Sequence, residues 1–559
     1  MVAFSELCLL ALIPAASAFP RGPAEASTFA GATSTFQFPP PGVTATVPDP
    51  NFPDKSIVGF SGPTPTGDDA FAIETAPVIP AIENESPIVR PDTFDHKGSR
   101  FDLVHSWGNL SPMFSLDPGT FGLSEASPIV PEGCSINAVH ILHRHGARYP
   151  TSGSAPASFA AKIHSASTGS GFSATGPLAF LNTWTFKLGA EILTPLGRQQ
   201  LFVVTVFNFR YELGVNTRIR YGSLLKGATD LPVWRTTSQG RSLLLVLRNI
   251  FQPHFLQFAA GFFGVQTFSS SYHQLIEIEA PGLNTTLAAY DQCANANNEI
   301  GGFGPAQATK WAAIYTGSTI KRLQRFISGV NLTATDIVAM QQSCAYESVA
   351  LGFSRFCDLF TESEWESFEY LNDLGFWYGN GPGNPAVAAQ GIGYVSEFIS
   401  RLTRTRITNF DTSVNATIVS SDIKFPLKQP IFVDATHDTI ITAVAVALNL
   451  TTLASGGPLP TDHIQRNRQW IVSHIAPFAA NLVAQVLSCP ASSTPTHIRW
   501  ILNDAVVPLT GVKGCKANKD GLCDLVDYQF DCFGNYSIPL PDTILDGRFP
   551  SSLRNTTAA

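Results

Sequence analysis

The residues best suited to chemistry in this sequence are two arginines that flank a histidine within five positions. Arg144, His145 and Arg148 belong to the segment RHGARYPT at 144–151. Guanidinium groups bind phosphate oxygens through paired hydrogen bonds and stay charged at any working pH. A neutral imidazole between them can attack phosphorus and form a phosphohistidine, and Gly146 lets the backbone turn tightly beside a ligand. The segment predicts phosphoryl transfer with His145 as nucleophile.

A basic surface turn and a metal site are the other interpretations of this segment. Four fixed positions occur by chance in well under ~1% of chains this long, which disfavours an incidental turn. His140, His143 and His145 could offer imidazole ligands, but no acidic or cysteine partner follows at ligand spacing. The flanking arginines would also repel a divalent cation. We expect no metal and no cofactor, with His140 and His143 packed within or beside a strand.

A second polar cluster, Thr436-His437-Asp438-Thr439, stands far downstream between an apolar run and a helix-like segment. We expect His437 to donate a hydrogen bond to the phosphate and Asp438 to protonate the leaving alkoxide, so that no poor leaving group departs as an anion. Because aspartate is also favoured at helix N-caps, a structural role is the alternative. The catalytic interpretation requires the two clusters to meet in the fold.

Without a metal ion, the negative charge of a transferring phosphoryl group has to be neutralised by side chains. A third guanidinium, beside those of Arg144 and Arg148, is therefore expected. Arg235, which follows the predicted strand 231–234, is the preferred candidate for binding phosphate. Arg241 is the second choice.

The elements around these residues alternate between strands and helices. A run rich in branched residues at 136–142 predicts the strand before the first cluster, and 431–433 predicts the strand before the second. Residues 440–448 and most of 300–405 have helical patterns, with helix starts at Thr333 and Thr361. Both clusters would then lie at the carboxyl ends of strands, where open α/β sheets bind ligands.

This order predicts an α/β core with an inserted, mainly helical second domain. We expect a signal peptide at 1–18 and a Pro/Ser/Thr-rich, low-complexity segment at 19–95. The first part of the α/β core would occupy 96–245, the helical cap domain 246–425, and the second part of the core 426–559.

The composition excludes some classes of partner and indicates the compartment. The 559 residues carry a net charge of -8 with 14% charged side chains, which argues against nucleic acid. The apolar run 7–13, followed by Ala16-Ser17-Ala18, is typical of a cleaved secretory signal. No apolar stretch reaches the ~18–20 residues of a transmembrane helix, and we expect no membrane anchor. The product is therefore expected to be secreted, extracellular or associated with the cell wall.

Cysteines and sequons agree with export. Without Cys8 the chain has eight cysteines, an even number that fits four disulfides in an oxidising compartment. Eight N-x-S/T sequons also occur, and Pro87 disfavours glycosylation at Asn84. The remaining candidates are Asn109, Asn284, Asn331, Asn415, Asn449, Asn535 and Asn555.

At these residues the chain resembles the histidine acid phosphatase family, in particular its secreted fungal branch, which includes phytases. The match spans roughly residues 100–540. The segment at 144–151 is similar to the family's R-H-G-x-R-x-P heptad, and His437-Asp438 to its downstream His-Asp pair. Further similar stretches lie at 193–197, 287–293 and 356–394.

The resemblance implies the phosphoglycerate-mutase-like fold and a role for each matching residue. His145 would be the nucleophile, Asp438 the proton donor, and the phosphate ligands would be Arg144, Arg148, Arg235 and His437. It also implies the disulfides Cys134–Cys489, Cys293–Cys532, Cys344–Cys357 and Cys515–Cys523.

The departures from the family pattern concern the substrate. Phytases of this group tend to carry lysines where this chain has Ser152-Gly153-Ser154-Ala155 and Tyr378-Gly379-Asn380-Gly381. We therefore expect an acid phosphatase acting on small-molecule phosphate monoesters, with phytate as a further candidate substrate. The alternatives are a dedicated phytase, a mutase-type phosphoryl transferase and a catalytically silent secreted glycoprotein.

Overall fold

The computed structural model describes residue 88 and residues 101–531, apart from 152, 190, 192, 207–230, 239–252, 265–266, 280–281, 293–298 and 491–494. The signal peptide predicted at 1–18 lies outside the described residues, as does all of the segment 19–95 except residue 88. The strands are β1 (Ser135–Arg144), β2 (Ser173–Ala174), β3 (Val233–Ser238), β4 (His273–Ile278), β5 (Ile327–Ser328), β6 (Ile431–Thr436), β7 (Asn481–Ser488), β8 (His497–Leu502), β9 (Ala505–Val507) and β10 (Cys523–Asp524). The helices are α1 (Ala155–Thr168), α2 (Pro195–Val206), α3 (Pro253–Phe263), α4 (Glu299–Leu323), α5 (Ala334–Leu351), α6 (Glu362–Asn380), α7 (Val387–Thr403), α8 (Ala416–Val419), α9 (Asp438–Ala447), α10 (Val472–Ile475) and α11 (Leu525–Asp531).

One mixed sheet organises the fold. Its strands follow the order β10-β8-β7-β1-β6-β3-β4, with β9 paired to β8. β1, β6, β3 and β4 are mutually parallel, whereas β7, β8, β9 and β10 join through antiparallel pairs. The carboxyl ends of the four parallel strands consequently meet at one edge of the sheet. The predicted α/β class is confirmed.

The strands are longer than the sequence pattern predicts. β1 and β6 extend to Arg144 and Thr436, which pair with each other in register. β3 continues to Ser238 because Thr236 and Thr237 are β-branched and extend its pairing with β4. Arg235 therefore lies inside a strand, whereas the sequence pattern predicts that it follows one.

β1 lies between β7 and β6, and its residues 139–144 are buried, which suits the apolar side chains in that half of the strand. Val139 and Ile141 pack with Trp234 and Val433 on one face. Leu142 belongs to the larger cluster on the other face. This packing holds the carboxyl end of β1, where the first polar cluster begins, at a fixed place in the fold.

The two histidines inside β1 pack as predicted. The His140 ring stacks on Phe432 and the His143 ring on Phe258, each pair with ring centroids 4.5 Å apart. Burial lowers the pKa of His140 to about 3 and that of His143 to about 4. Both rings are therefore neutral and serve the core.

Helices α4 to α7 lie between β4 and β6 in the chain, within the predicted helical region. The predicted starts at Thr333 and Thr361 are confirmed, because each side chain caps its helix in a capping box, with Asp336 and Glu364 respectively. The domain boundaries stay predictions.

Three disulfides are present in the described part of the chain: Cys134–Cys489, Cys344–Cys357 and Cys515–Cys523. These confirm three of the four implied pairs, and Cys293 and Cys532 lie outside the described residues. Among the sequon asparagines, Asn284, Asn331 and Asn449 are exposed and Asn415 is half-buried, while Asn535 and Asn555 lie outside the described residues. None of the described helices is long and apolar enough to cross a membrane.

Candidate active site

The two polar clusters meet at the carboxyl edge of the sheet. β1 ends at Arg144 and His145 follows, while β6 ends at Thr436 and is followed by His437 and Asp438. The His145 N–H donates to the carbonyl of Thr436 over 3.2 Å. The rings of His145 and His437 lie edge to face with centroids 5.6 Å apart. Parallel pairing of two adjacent strands thus unites residues that are far apart in the sequence.

The environment of His145 selects one tautomer of its ring. Nδ1 lies 2.9 Å from the carbonyl oxygen of Gly146. Because a carbonyl can only accept, Nδ1 carries the proton and Nε2 keeps a lone pair in the neutral ring. A buried imidazole with a fixed Nε2 lone pair is suited to nucleophilic attack.

Gly146 is required for a close approach between the first cluster and the start of α2. A Cβ at this position would lie 2.1 Å from the carbonyl oxygen of Gly197, and a Cβ on Gly197 would lie 1.8 Å from the carbonyl oxygen of Ala147. The first turn of α2, which contains Gly197, is therefore packed directly against the first cluster. This contact accounts for the glycine better than a tight turn beside a ligand.

Arg144 is buried and holds the two clusters together. Its Nη2 lies 2.8 Å from Oδ2 of Asp438, and its Nη1 donates to the carbonyls of Ala476, over 2.9 Å, and of Asn109. Its Nε has no hydrogen-bond partner among the described residues. Burial lowers the pKa of Arg144 to about 10 against the opposing effect of Asp438, so the guanidinium stays charged.

Arg148 is more accessible and is already paired with a carboxylate. Its Nη1 lies 3.2 Å from Oε2 of Glu191, and its Nη2 donates to Oγ1 of Thr151 over 3.0 Å. Glu191 has a backbone φ of 69°, the left-handed region that non-glycine residues rarely adopt. The sequence does not single out Glu191 as a neighbour of the site.

Asp438 is ionised in this arrangement. Its Oδ2 accepts hydrogen bonds from Arg144 and, over 2.8 Å, from Nδ2 of Asn109, while its Oδ1 accepts from the Thr439 N–H. Burial opposes ionisation, but Arg144 and Asn109 more than offset it and lower the pKa of Asp438. Because Asp438 is ionised in the substrate-free protein, it has to gain a proton before it can donate one to a leaving group.

The position of Asn109 argues against the glycosylation predicted there. The amide nitrogen that would carry the glycan is the atom that donates to Asp438. A glycan at this atom would break that hydrogen bond beside the proposed nucleophile. The sequon alone indicates a surface residue, whereas the tertiary contact favours an Asn109 without a glycan.

His437 is bound to a carboxylate that sequence reasoning missed. Its Nε2 lies 2.7 Å from Oε1 of Glu279, and Tyr290 donates its hydroxyl to Oε2 of the same carboxylate over 2.5 Å. Burial opposes the ionisation of Glu279, but His437, Thr237 and Tyr290 lower its pKa to about 2. The only available signal for Glu279 was its place directly after an apolar strand pattern.

The structure does not bring Arg235 to these residues, so the phosphate-binding role predicted for it does not fit its position. Nε, Nη1 and Nη2 lie 2.7, 3.1 and 2.7 Å from carboxylate oxygens of Asp434, Glu277 and Glu397 respectively. The side chain is 1% exposed. Because all three nitrogens lie close to carboxylates inside the core, the position of this side chain does not suit phosphate binding. Arg241, the second choice, lies outside the described residues.

Known proteins similar to this chain were found by sequence. The sequence model described as "Histidine phosphatase superfamily (branch 2)" matches residues 135–503. Phytase A of Aspergillus fumigatus is 32% identical over 432 residues, covering 76% of this chain and 87% of the relative. Phytase A of Aspergillus awamori is 32% identical over 462 residues, covering 80% and 91%.

Solved structures are similar to this chain in fold. The phytase from D. castellii superposes with a TM-score of 0.59 at 21% identity, covering 81% of this chain and 91% of that one. The apo multiple inositol polyphosphate phosphatase of Bifidobacterium longum gives a TM-score of 0.51 at 13% identity, covering 76% and 96%.

Proposed function

Because the chain belongs to branch 2 of the histidine phosphatase superfamily and is a phosphatase hydrolase, we propose that it hydrolyses phosphate monoesters at acidic pH through a covalent phosphohistidine on His145. The observation that carries this proposal is the hydrogen bond from Nδ1 of His145 to the Gly146 carbonyl, which assigns the lone pair to Nε2 in a ring whose centroid lies 5.6 Å from that of His437. Arg144, Arg148 and His437 bind the phosphate oxygens.

In the first step Nε2 of His145 attacks phosphorus, and the bond between phosphorus and the ester oxygen breaks. Asp438 gives its proton to the departing alkoxide. In the free enzyme Asp438 is ionised because it pairs with Arg144. A bound phosphate dianion competes for Arg144 and adds negative charge, which raises the pKa of Asp438. The proton is thus taken up together with the substrate, and this coupling favours activity in acid.

In the second step water attacks the phosphohistidine. The bond between phosphorus and Nε2 breaks, Asp438 accepts the proton of the attacking water, and inorganic phosphate leaves. The same carboxyl acts as acid and then as base, so it ends the second step protonated, as it began the first. The charge that develops on the phosphoryl oxygens is stabilised by fixed cations throughout.

The substrate is best described as a small phosphate monoester, with phytate as the second candidate. The names of the curated relatives, phytase A, favour phytate. The pairing of Arg148 with Glu191 favours less highly charged substrates, because a carboxylate at this position repels additional phosphate groups. In the stretch 378–381, where related phytases tend to carry a lysine, Tyr378 is buried and donates to the Leu459 carbonyl. The absence of a lysine from this stretch therefore affects the charge of the pocket less than Glu191 does.

Export completes the proposal, with the mature protein outside the cell or in the cell wall. Three disulfides and exposed sequons at Asn284, Asn331 and Asn449 support this compartment. Sequencing the N-terminus of protein from culture medium checks cleavage after residue 18.

The mechanism is tested by trapping the phosphoenzyme. Acid quenching after mixing with a radiolabelled phosphate monoester should leave label on the protein that is stable in alkali and labile in acid. His145→Ala should carry no label and turn over no substrate, while His463→Ala, which changes an exposed histidine, should behave as the wild type. Absence of label from the wild type, or full turnover by His145→Ala, contradicts the mechanism.

A parallel assay separates the alternatives. Rates on p-nitrophenyl phosphate and on phytate, each with and without EDTA, rank the two substrate classes and test for a required metal. Transfer of label to a second sugar-acid hydroxyl in place of water would indicate a mutase.

A further inference from the structure

Glu279 lies directly behind His437 and has no role in the mechanism so far. It follows β4, the edge strand that runs parallel to β3, so its side chain reaches the same carboxyl edge as the two clusters. Its side chain is 4% exposed and lies 2.7 Å from Nε2 of His437. This carboxylate therefore controls the chemistry of one ring nitrogen.

The contact decides which nitrogen of His437 can meet a substrate. A carboxylate only accepts hydrogen bonds, so Nε2 carries a proton and is occupied by Glu279. Nδ1 has no hydrogen-bond partner among the described residues, and the centroid of the His145 ring lies 5.6 Å from that of His437. Nδ1 is thus the nitrogen available to a phosphate oxygen.

Binding an anion through Nδ1 requires a proton there as well. With Nε2 already protonated, a neutral ring would present the Nδ1 lone pair, which repels a phosphate oxygen. Only the doubly protonated, cationic ring donates from both nitrogens. Glu279 places an opposite charge 2.7 Å from Nε2 of the ring that has to carry both protons.

Glu279 is built to stay anionic in acid. Tyr290 donates to its second oxygen, and Thr237 also hydrogen-bonds to it. These contacts keep the pKa of Glu279 at about 2 although burial opposes ionisation. The other titratable groups that face His437 are Tyr290, His145 and Asp438.

We propose that Glu279 is the positioning residue that holds Nε2 of His437 and stabilises its cationic ring, so that Nδ1 donates to the phosphate group of the substrate. The inference rests on the proposed phosphate-binding role of His437. It assigns to Glu279 a function that acts through another side chain, as an orienting carboxylate does for a catalytic imidazole.

The test is the pH dependence of inhibition by inorganic sulfate, with p-nitrophenyl phosphate as substrate. Sulfate is a tetrahedral dianion whose charge does not change between about pH 4 and about pH 8, so any pH dependence of its inhibition constant belongs to the protein. Glu279→Gln keeps an acceptor for Nε2 but removes the charge. We expect its inhibition constant to rise about tenfold over the wild type near pH 6 and less than about threefold near pH 4.

Glu277→Gln is the matched control. Glu277 is a buried glutamate two residues earlier on β4, and it contacts Arg235 and not His437. Its variant should keep the wild-type pH profile for sulfate. In a His437→Asn background, Glu279→Gln should cause no further shift, because the ring through which it acts is gone.

An unchanged sulfate profile in folded Glu279→Gln, or an equal shift in the His437→Asn background, overturns the inference. Thermal melts establish folding first. If Glu279→Gln does not fold, Glu279→Asp decides: its shorter side chain breaks the 2.7 Å contact, so sulfate inhibition should weaken at every pH, and unchanged inhibition overturns the inference. A wild type that hydrolyses no phosphate monoester refutes the proposed function instead.

Discussion

Replacing Arg235 by methionine separates a structural role from a phosphate-binding role. The guanidinium lies among the carboxylates of Asp434, Glu277 and Glu397, and all four side chains are 1–2% exposed. Methionine has a similar length and no charge. In its place Arg401, whose Nη1 contacts Asp434 at 2.5 Å, would be the one cation among the described residues left to balance the three acids.

The expected loss of stability is large. Removing one partner from a buried ionic cluster leaves uncompensated charge, at a cost of about 3–5 kcal/mol. In acidic solution the loss of unfolding free energy should lie near the lower end of this range. Burial raises the pKa of Glu277 to about 7, so this carboxyl can accept a proton and shed its negative charge. Because the entropy of unfolding grows with chain length, the melting temperature should fall by only roughly 3–6 °C.

The activity of the molecules that remain folded should change little. Differential scanning calorimetry gives the loss of stability, and kcat/KM measured well below the transition should stay within about threefold of the wild type. Removing a guanidinium that stabilises a transferring phosphoryl group costs about 10²–10³-fold. Arg241→Gln, at the second candidate for that guanidinium, should show the opposite pattern, with lost activity and an unchanged melt. If Arg235→Met melts like the wild type but loses a hundredfold in kcat/KM, the structural assignment is refuted.

Four further predictions concern other parts of the molecule. Peptide mapping of the secreted protein should find Asn109 without a glycan, because its amide nitrogen is bonded to a carboxylate in the site; an occupied Asn109 contradicts this. Asp438→Asn should lower kcat by about 10²–10⁴-fold on an alkyl phosphate and far less on p-nitrophenyl phosphate, whose leaving group needs no proton; equal losses on both would exclude its role as acid. Glu191→Gln should raise kcat/KM for phytate relative to p-nitrophenyl phosphate by about threefold or more, since it removes a negative charge near the phosphate; an unchanged ratio shows that Glu191 does not limit substrate charge. Finally, burial raises the pKa of Glu277 and Glu369 from 4.5 to about 7, so between these values the folded chain binds protons that the unfolded chain has released. The melting temperature should therefore fall as the pH rises from about 5 to about 7.5. A melting temperature that rises over that range contradicts the prediction.

The catalytic motifs were predictable because their chemistry is local in the sequence. The spacing of Arg144, His145 and Arg148 indicated a phosphate site, and its resemblance to the histidine acid phosphatase family is confirmed by the family match to residues 135–503. The helix starts at Thr333 and Thr361 were equally local, since a capping box is formed within four residues.

The predictions that the fold argues against concern residues whose surroundings are set by distant segments. Arg235 and Asn109 each have a sequence context that fits the predicted role, phosphate binding in one case and glycosylation in the other. In the fold, β3 brings Arg235 beside Asp434 of β6, and Asn109 reaches Asp438 across 329 positions of chain. Neither contact leaves a periodicity or a motif in the sequence.

The sequence by itself determined the reaction class, because the residues proposed as nucleophile and phosphate ligands at 144–148 are neighbours in the chain. Only the tertiary structure decided which charges face one another. Parallel pairing of β1 with β6 unites His145 and His437, and the adjacent edge strand supplies Glu279. The energy of a charge depends on its distance to other charges and on its burial, and both quantities are fixed by strand order and register rather than by position along the chain.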